Sequence, residues 1–157
     1  MSATVDVTAD MDSGIFLLDT NIISDLMKGA GSLAAKGGRL AVQSGRVTSV
    51  CTSVVVQCEL VFGLTRRPST RLQAAYDLEM AKLQILPLTD SVPLHYARLR
   101  AHLEALGQPI GPNDALIAAH ALAINATLVS ADAEFRRVPG LRVENWLEEM
   151  TTQKSAQ

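Results

Sequence analysis

Four acidic residues stand at positions where a carboxylate needs an explanation, and together they could bind a metal ion. They are Asp19, Glu59, Asp114 and Asp132. Asp19 and Asp132 each follow a short apolar run that is typical of a strand, and open α/β sheets bind ligands where strands end. Glu59 lies inside the apolar segment 54–62, where a carboxylate is costly unless it is paired or binds a cation. Asp114 opens the apolar stretch 115–123.

Each of these four residues also has an ordinary structural explanation. Asp19 can cap the following helix, although Asn21 could do so itself, and Asp132 can be a turn residue. Glu59 can lie on a wet helix face, and Asp114 can interact with a helix dipole. Three of the four nevertheless fall at strand ends or helix starts on one edge of the predicted sheet. Like charges gathered there repel unless they are neutralised, and Mg²⁺ or Mn²⁺, which prefer oxygen ligands, would neutralise them.

The remaining titratable residues offer no competing site. His102 is predicted on a helix surface, and His120, in an alanine-rich helix, is predicted to be a packed core histidine. Asp25 is predicted to be exposed in the first helix. Cys51 and Cys58 lie in an apolar segment without any metal-binding spacing, so both are predicted to be buried, reduced thiols.

The pattern of apolar and polar residues predicts strands that alternate with helices. Strands are predicted at 15–18, 47–54, 85–88, 127–129 and 141–143. Helices are predicted at 22–27, 33–44, 56–63, 69–83, 90–106 and 113–125, with a loop at 66–68. This alternation is typical of an α/β fold with a mainly parallel sheet of four to five strands. Residues 1–13 are predicted to be a mobile leader, 14–150 a single domain and 151–157 a frayed tail.

Length and charge limit the classes of protein that the chain can belong to. The 157 residues correspond to one domain. No apolar run is long enough to cross a bilayer and the start does not resemble a signal peptide, so a cytoplasmic protein is expected. A net charge of −2 argues against binding nucleic acid by bulk positive charge, but not against local contacts through arginine. The candidates for phosphate contact are Arg66, Arg67, Arg98, Arg100, Arg136 and Arg137, and of these Arg98, Arg100 and Arg136 are preferred.

Several segments resemble the VapC-type PIN-domain toxins. They are Leu18-Asp19-Thr20-Asn21, Glu59-Leu60-Val61-Phe62-Gly63, GQPIGPNDALIAAHAL at 107–122, TLVSADAEF at 127–135, Val138-Pro139-Gly140-Leu141 and Val143-Glu144-Asn145-Trp146. The resemblance extends over nearly the whole chain, with the four acidic residues in order and each in its expected context. One departure is at Ala131 or its neighbour, where many relatives have asparagine.

The resemblance implies a three-layer α/β/α sandwich and a ribonuclease that depends on Mg²⁺ or Mn²⁺. It implies that Asp19, Glu59, Asp114 and Asp132 form the acidic cluster, with Asp19 and Asp114 as the principal metal ligands. The polar residues beside them are Thr20, Asn21 and Ser130. The resemblance also implies an RNA substrate, a homodimer and a cognate antitoxin that neutralises the toxin. The antitoxin is expected to dock on apolar surface that flanks the acids, with Ile22, Leu26, Val61 and Phe62 as candidates.

Three functions other than a nuclease are compatible with an acidic site in an α/β fold. A phosphatase with an aspartyl nucleophile needs a second aspartate two residues after the first, where this chain has Asn21. A phospho-receiver signalling domain needs adjacent acids after the first strand, a phosphoacceptor aspartate at mid-sheet and a late lysine in the fold. In this chain the strand segments 47–54 and 85–88 contain no aspartate, and Lys154 lies in the tail. A catalytically silent binding module with the same fold would not need acids at all four positions.

Overall fold

The computed structural model describes residues 12–148, and its strands form one sheet in which every pairing is parallel. The strands are β1 (Ile15–Leu18), β2 (Ser49–Ser53), β3 (Gln84–Leu86), β4 (Thr127–Val129) and β5 (Val143–Glu144), in the order β3-β2-β1-β4-β5. The helices are α1 (Thr20–Leu26), α2 (Leu33–Gln43), α3 (Val54–Arg66), α4 (Thr70–Met80), α5 (Val92–Ala105) and α6 (Pro112–Ala123), with a 3₁₀ helix at Ala133–Arg137. Helices flank the sheet, which confirms the predicted α/β/α sandwich.

The core lies around the central strand β1, which is hydrogen-bonded to β2 on one side and to β4 on the other. Phe16, Leu17 and Leu18 are fully buried, as is every residue of β4. Strands buried on both faces are apolar throughout and do not alternate, which is why these short runs could be recognised in the sequence. None of the helices within residues 12–148 is long and apolar enough to cross a bilayer.

Helix starts and stops follow the predicted capping residues at several places. The Ser69 hydroxyl accepts a hydrogen bond from the Leu72 amide at 3.2 Å and so begins α4. Gly107 follows α5 with a φ of 67°, a left-handed conformation that glycine adopts without strain. The predicted leader and tail lie outside the described residues, apart from Asp12 and Ser13.

Some predicted boundaries were wrong by a few residues, and the largest error concerns α3. This helix continues through Gly63 to Arg66, whereas its predicted end was at residue 63 and Arg66 was placed in a loop. A glycine inside a helix costs only about 1 kcal/mol, so burial of Leu60 and partial burial of Leu64 can outweigh it. The 3₁₀ helix after β4 was not predicted.

Two predictions of burial were also wrong. Cys58 is exposed, because α3 turns Val56 and Leu60 towards the core and Cys58 away from it, whereas Cys51 on β2 is buried as expected. Asp25 is buried and not exposed. Its carboxylate accepts a hydrogen bond from the Ala34 amide at 2.8 Å and pairs with Lys28 at 3.2 Å, so it holds the start of α2 against α1.

We predict that Asp25→Ala lowers the free energy of unfolding by about 1–3 kcal/mol, because it leaves the buried Ala34 amide without an acceptor. Urea denaturation measures the change, with Asp90→Ala at an exposed position as the control. Equal stability of the two variants would contradict a structural role for Asp25.

Candidate acidic site

The predicted acids gather at one edge of the sheet because the strands are parallel and their carboxyl ends coincide. Asp19 directly follows β1, is 5% exposed, and its backbone amide donates to the carbonyl of Val129 at the end of β4 at 2.9 Å. Its Oδ1 accepts a hydrogen bond from the Thr20 amide at 2.8 Å, which makes it the N-cap of α1. Asp19 therefore caps a helix and also directs its second carboxylate oxygen towards the loop after β4.

Ser130 connects Asp19 to the loop after β4. Its hydroxyl donates to Oδ2 of Asp19 at 2.7 Å and accepts from the backbone amide of Asp132 at 3.0 Å. Asn21 supports the same loop, because its amide nitrogen donates to Ser130 Oγ at 3.3 Å and its Oδ1 accepts from the Ala131 amide at 3.1 Å. Ser130 and Asn21, two of the polar residues predicted from the sequence, thus hold the carboxyl ends of β1 and β4 together.

Thr20 performs a similar role for Glu59. The Thr20 hydroxyl, on the first turn of α1, donates a short hydrogen bond to Oε2 of Glu59, which is half-buried on α3. A carboxylate that accepts from a neighbouring helix is held in one orientation. The apolar surroundings of Glu59 in the sequence are accounted for by the buried residues of α3, Val55, Val56 and Leu60.

Asp114 is the residue at which the charges of the cluster converge. It lies in the first turn of α6 and is half-buried. The N-cap of this helix is Gly111, so no side chain caps its start. Burial, the largest cause, and the negative charges of Asp19, Asp132, Glu59 and Glu134 together raise the pKa of Asp114 to about 6. The other three predicted acids therefore all act on Asp114 in the folded chain.

Burial also raises the pKa of the Asp19 carboxyl, with smaller contributions from the charges of Glu59 and Asp132. The hydrogen bonds from Ser130 and Thr20 oppose this rise, because they favour the charged form. The hydrogen-bond donors thus hold the Asp19 carboxylate in place, while burial and the acidic neighbours disfavour its charged form. A bound cation would stabilise that charged form.

Sequence reasoning missed one member of the cluster, Glu134. Among residues 12–148, one carboxylate oxygen from each of Asp114, Asp132 and Glu134 lies within 4.8 Å of the other two. Asp132 caps the 3₁₀ helix by accepting from the Glu134 amide at 2.9 Å, and this turn brings the Glu134 side chain beside it. The spacing of two residues after Asp132 was the available signal, but the 3₁₀ helix that gives it meaning was not predicted.

The three preferred arginines lie apart from the acids. Arg100 donates to Tyr96 and Glu104 at 2.8 Å each, on its own helix. Arg98 lines one cavity of about 350 Å³ with His95 and His102. Arg136 lines another of the same size beside Glu144. Neither cavity is lined by any of the four predicted acids.

Arg67, another of the candidate arginines, lines a cavity together with residues of the site. That cavity, of about 400 Å³, is lined by Thr20 and Glu59 as well as Arg67, with an apolar wall. The members of this wall include Met27, Leu60, Leu64, Leu72 and Tyr76.

The donor set of the cluster suits a hard divalent cation. Every potential ligand in it is a carboxylate oxygen, and no histidine or cysteine belongs to the trio of Asp114, Asp132 and Glu134. Oxygen ligands of this kind select Mg²⁺, Mn²⁺ or Ca²⁺ over softer metals.

We predict that Asp114→Asn stabilises the metal-free protein at neutral pH. A carboxyl whose pKa is higher in the folded than in the unfolded chain destabilises the fold progressively as pH rises from about 4 to about 6. The free energy of unfolding of the variant should therefore exceed that of the wild type by about 1–2 kcal/mol at pH 7, after a discount for solvent screening of this half-buried group, and the two should converge as pH falls towards 4. Urea denaturation in EDTA across this range measures the difference. A difference that did not vary with pH would contradict the raised pKa.

Known proteins with similar sequences identify the family of this chain. Residues 16–141 match the PIN domain family. Ribonuclease VapC2 of Rickettsia felis is 36% identical over 141 residues, which cover 84% of this chain and 98% of that protein.

Chains in solved structures have a similar fold. The crystal structure of VapBC2 from Rickettsia felis, bound to a DNA fragment from its promoter, has a chain with a TM-score of 0.75 and 33% identity, covering 84% of this chain and 98% of that one. VapBC-5 from Mycobacterium tuberculosis, a member of the VapBC family of toxin–antitoxin systems, has a TM-score of 0.60 and 25% identity, covering 84% and 97%. With the matched family covering most of its length and the acids gathered at one sheet edge, the chain belongs to the PIN domain family.

Proposed function

We propose that the protein is a metal-dependent endoribonuclease and the toxin of a toxin–antitoxin pair. It hydrolyses RNA phosphodiester bonds at the cluster of Asp19, Glu59, Asp114 and Asp132. The observation that carries this proposal is the gathering of carboxylates at one edge of the sheet, where one oxygen each of Asp114, Asp132 and Glu134 lies within 4.8 Å of the other two. A divalent cation would neutralise charges gathered in this way. The ribonuclease activity of the similar Rickettsia felis protein supports it.

The cation is Mg²⁺ or Mn²⁺, with Asp19 and Asp114 as its principal ligands. Asp132 and Glu134 lie close enough to Asp114 to complete the coordination. A bound ion of this kind polarises the scissile phosphate and lowers the pKa of attacking water. No histidine or lysine is required as a base.

The other polar residues orient these ligands. Ser130 and Thr20 donate to Asp19 and Glu59, so each carboxylate keeps one orientation before any ion arrives. Outer hydrogen bonds of this sort tune metal affinity as well as geometry. Glu59 acts either as a ligand or through an oriented water.

RNA is the substrate class, and Arg67 is the arginine best placed to contact its phosphates near the acids. Only 4% of the residues are aromatic, so base stacking cannot be the main source of affinity. A cytoplasmic location, as expected from sequence, suits this substrate. Sequencing the 5′ ends of cleaved RNA after induction would identify the RNA that is cut.

A cognate antitoxin is the proposed partner, and the toxin itself is expected to form a homodimer. Of the apolar residues expected to receive it, Phe62 is 64% and Val61 43% exposed, whereas Ile22 is fully buried and belongs to the core. Leu26 is half-buried. The cavity beside Glu59 adjoins α3 and gives an apolar segment access to the acids.

We predict that Asp19→Ala and Asp114→Ala each reduce RNA cleavage by at least about 100-fold while the fold is retained, because loss of hydrogen bonds to metal ligands alone costs 10–100-fold. Activity should need Mg²⁺ or Mn²⁺, and Ca²⁺, which tolerates loose geometry, should support it poorly. Cleavage assays and circular dichroism measure the two effects.

The control for these variants is Asp77→Ala, at an exposed position on α4 where the carboxylate accepts a hydrogen bond from Gln73. Cleavage that persisted in excess EDTA would disprove the metal mechanism. Wild-type inactivity on every RNA, with Mn²⁺ bound, would instead favour the catalytically silent binding module.

We predict that the antitoxin inhibits by inserting an arginine among the carboxylates, which a guanidinium can pair bidentately. Reversing the charge of that arginine should restore cleavage in the mixed complex, even while gel filtration shows the two proteins still bound. Reversal of a charged antitoxin residue away from the acids is the control. An inactive complex that still held RNA at the carboxylates would exclude direct occlusion.

A further inference from the structure

A buried histidine outside the acidic cluster has no role in the chemistry described above. His120 on α6 and Ser53 at the end of β2 are both 0% exposed, and His120 Nδ1 lies 2.7 Å from Ser53 Oγ. Among residues 12–148, Nε2 of His120 is the one buried side-chain nitrogen or oxygen atom that has no hydrogen-bond partner. An unpaired polar atom in a core is costly. The presence of a histidine here, with one ring nitrogen unpaired and the other bound to Ser53, therefore requires an explanation.

The two residues belong to the helices that carry two of the acids. Ser53 is the N-cap of α3, since its hydroxyl accepts from the Val55 amide at 3.1 Å, and Glu59 follows it by six residues. His120 follows Asp114 by six residues on α6. Each acid is therefore about 9 Å along its own helix from the contact, at a rise of 1.5 Å per residue. The hydrogen bond joins the start of α3 to the last turn of α6.

The direction of this hydrogen bond follows from the available partners. Ser53 Oγ already accepts from Val55, so its own proton is free to be donated to Nδ1, which leaves Nε2 as the protonated nitrogen. In the opposite direction, both the serine proton and the Nε2 lone pair would be unpaired. The first arrangement leaves fewer unsatisfied atoms, and burial, which lowers the pKa of His120, keeps the ring neutral.

A neutral hydrogen bond away from water suits a site whose acids repel one another. The charge of Glu59 on α3 acts on Asp114 on α6, so the two acids repel each other across these helices when no metal is bound. Hydrogen bonds in a dry interior are strong and directional, and a displacement of 1 Å in a catalytic geometry can reduce a rate by about 100-fold.

We propose that the buried hydrogen bond between Ser53 and His120 is a positioning contact that sets the spacing of Glu59 and Asp114 for metal binding. This inference rests on the proposed function, because it assumes that these acids bind a divalent cation. His120 touches neither the ion nor the RNA and acts only through the two helices. It is therefore a positioning residue and not a catalytic one.

The test compares two replacements of His120 in the full chain. His120→Leu removes the polar atom, whereas His120→Asn keeps an amide near the position of Nδ1. Ile117→Val, a fully buried truncation on the same helix, is the control for a simple loss of packing. Mn²⁺ affinity is measured by calorimetry, kcat and KM by RNA cleavage, and stability by urea denaturation.

The expected result is that His120→Leu weakens Mn²⁺ binding by at least about 10-fold, the size typical of lost outer hydrogen bonds at metal sites. Its kcat should fall more than its KM changes. His120→Asn should recover most of the affinity, and Ile117→Val should lose stability without losing affinity. If His120→Leu does not fold, Ser53→Cys, which keeps the shape with a weaker donor, should show the same loss of affinity.

Equal Mn²⁺ affinity in the wild type and in whichever of His120→Leu and Ser53→Cys folds would overturn the positioning role while leaving the proposed function intact. The same would follow if His120→Asn were as weak as His120→Leu, or if Ile117→Val lost affinity as well. A wild type that bound no Mn²⁺ and cut no RNA would overturn both the proposed function and this inference.

Discussion

Repulsion among carboxylates at one sheet edge is the constraint to which the rest of the structure responds. Asp114 experiences the charges of Asp19, Asp132, Glu59 and Glu134, and these charges, together with burial as the largest cause, raise its pKa to about 6. A fold selected for stability alone would disperse these acids. Keeping them together needs elements that resist separation, and a central parallel sheet buried on both faces provides them.

The side chains around the acids hold them without neutralising them. Ser130 and Thr20 donate hydrogen bonds, which fix orientation and add no positive charge. Arg100 and Arg46, which would neutralise a carboxylate, are paired elsewhere, with Glu104 and Glu144. The negative field therefore remains available, either for a metal ion or for a guanidinium brought by a partner. A cation bound in this field would supply positive charge for contact with an RNA phosphate, which a chain of net charge −2 does not offer in bulk.

Asp25 shows what a carboxylate does when it is purely structural. It is buried as well, 9% exposed against 5% for Asp19, but its partners are the Ala34 amide and Lys28, so its charge is satisfied within the chain. Burial alone does not distinguish Asp25 from Asp19. The structural acid differs from the functional one in the groups that surround its carboxylate.

Local patterns in the sequence determined the strands, most helices, and four acids of the cluster, because apolar runs, caps and strand ends depend on neighbouring residues. Such patterns could not decide contacts between distant segments. Cys58 and Asp25 were misjudged because the face that a helix buries depends on what packs against it, and Glu134 was missed because an unpredicted 3₁₀ turn brings it to Asp132. The hydrogen bond between Ser53 and His120 joins residues 67 positions apart, so only the tertiary structure could place it.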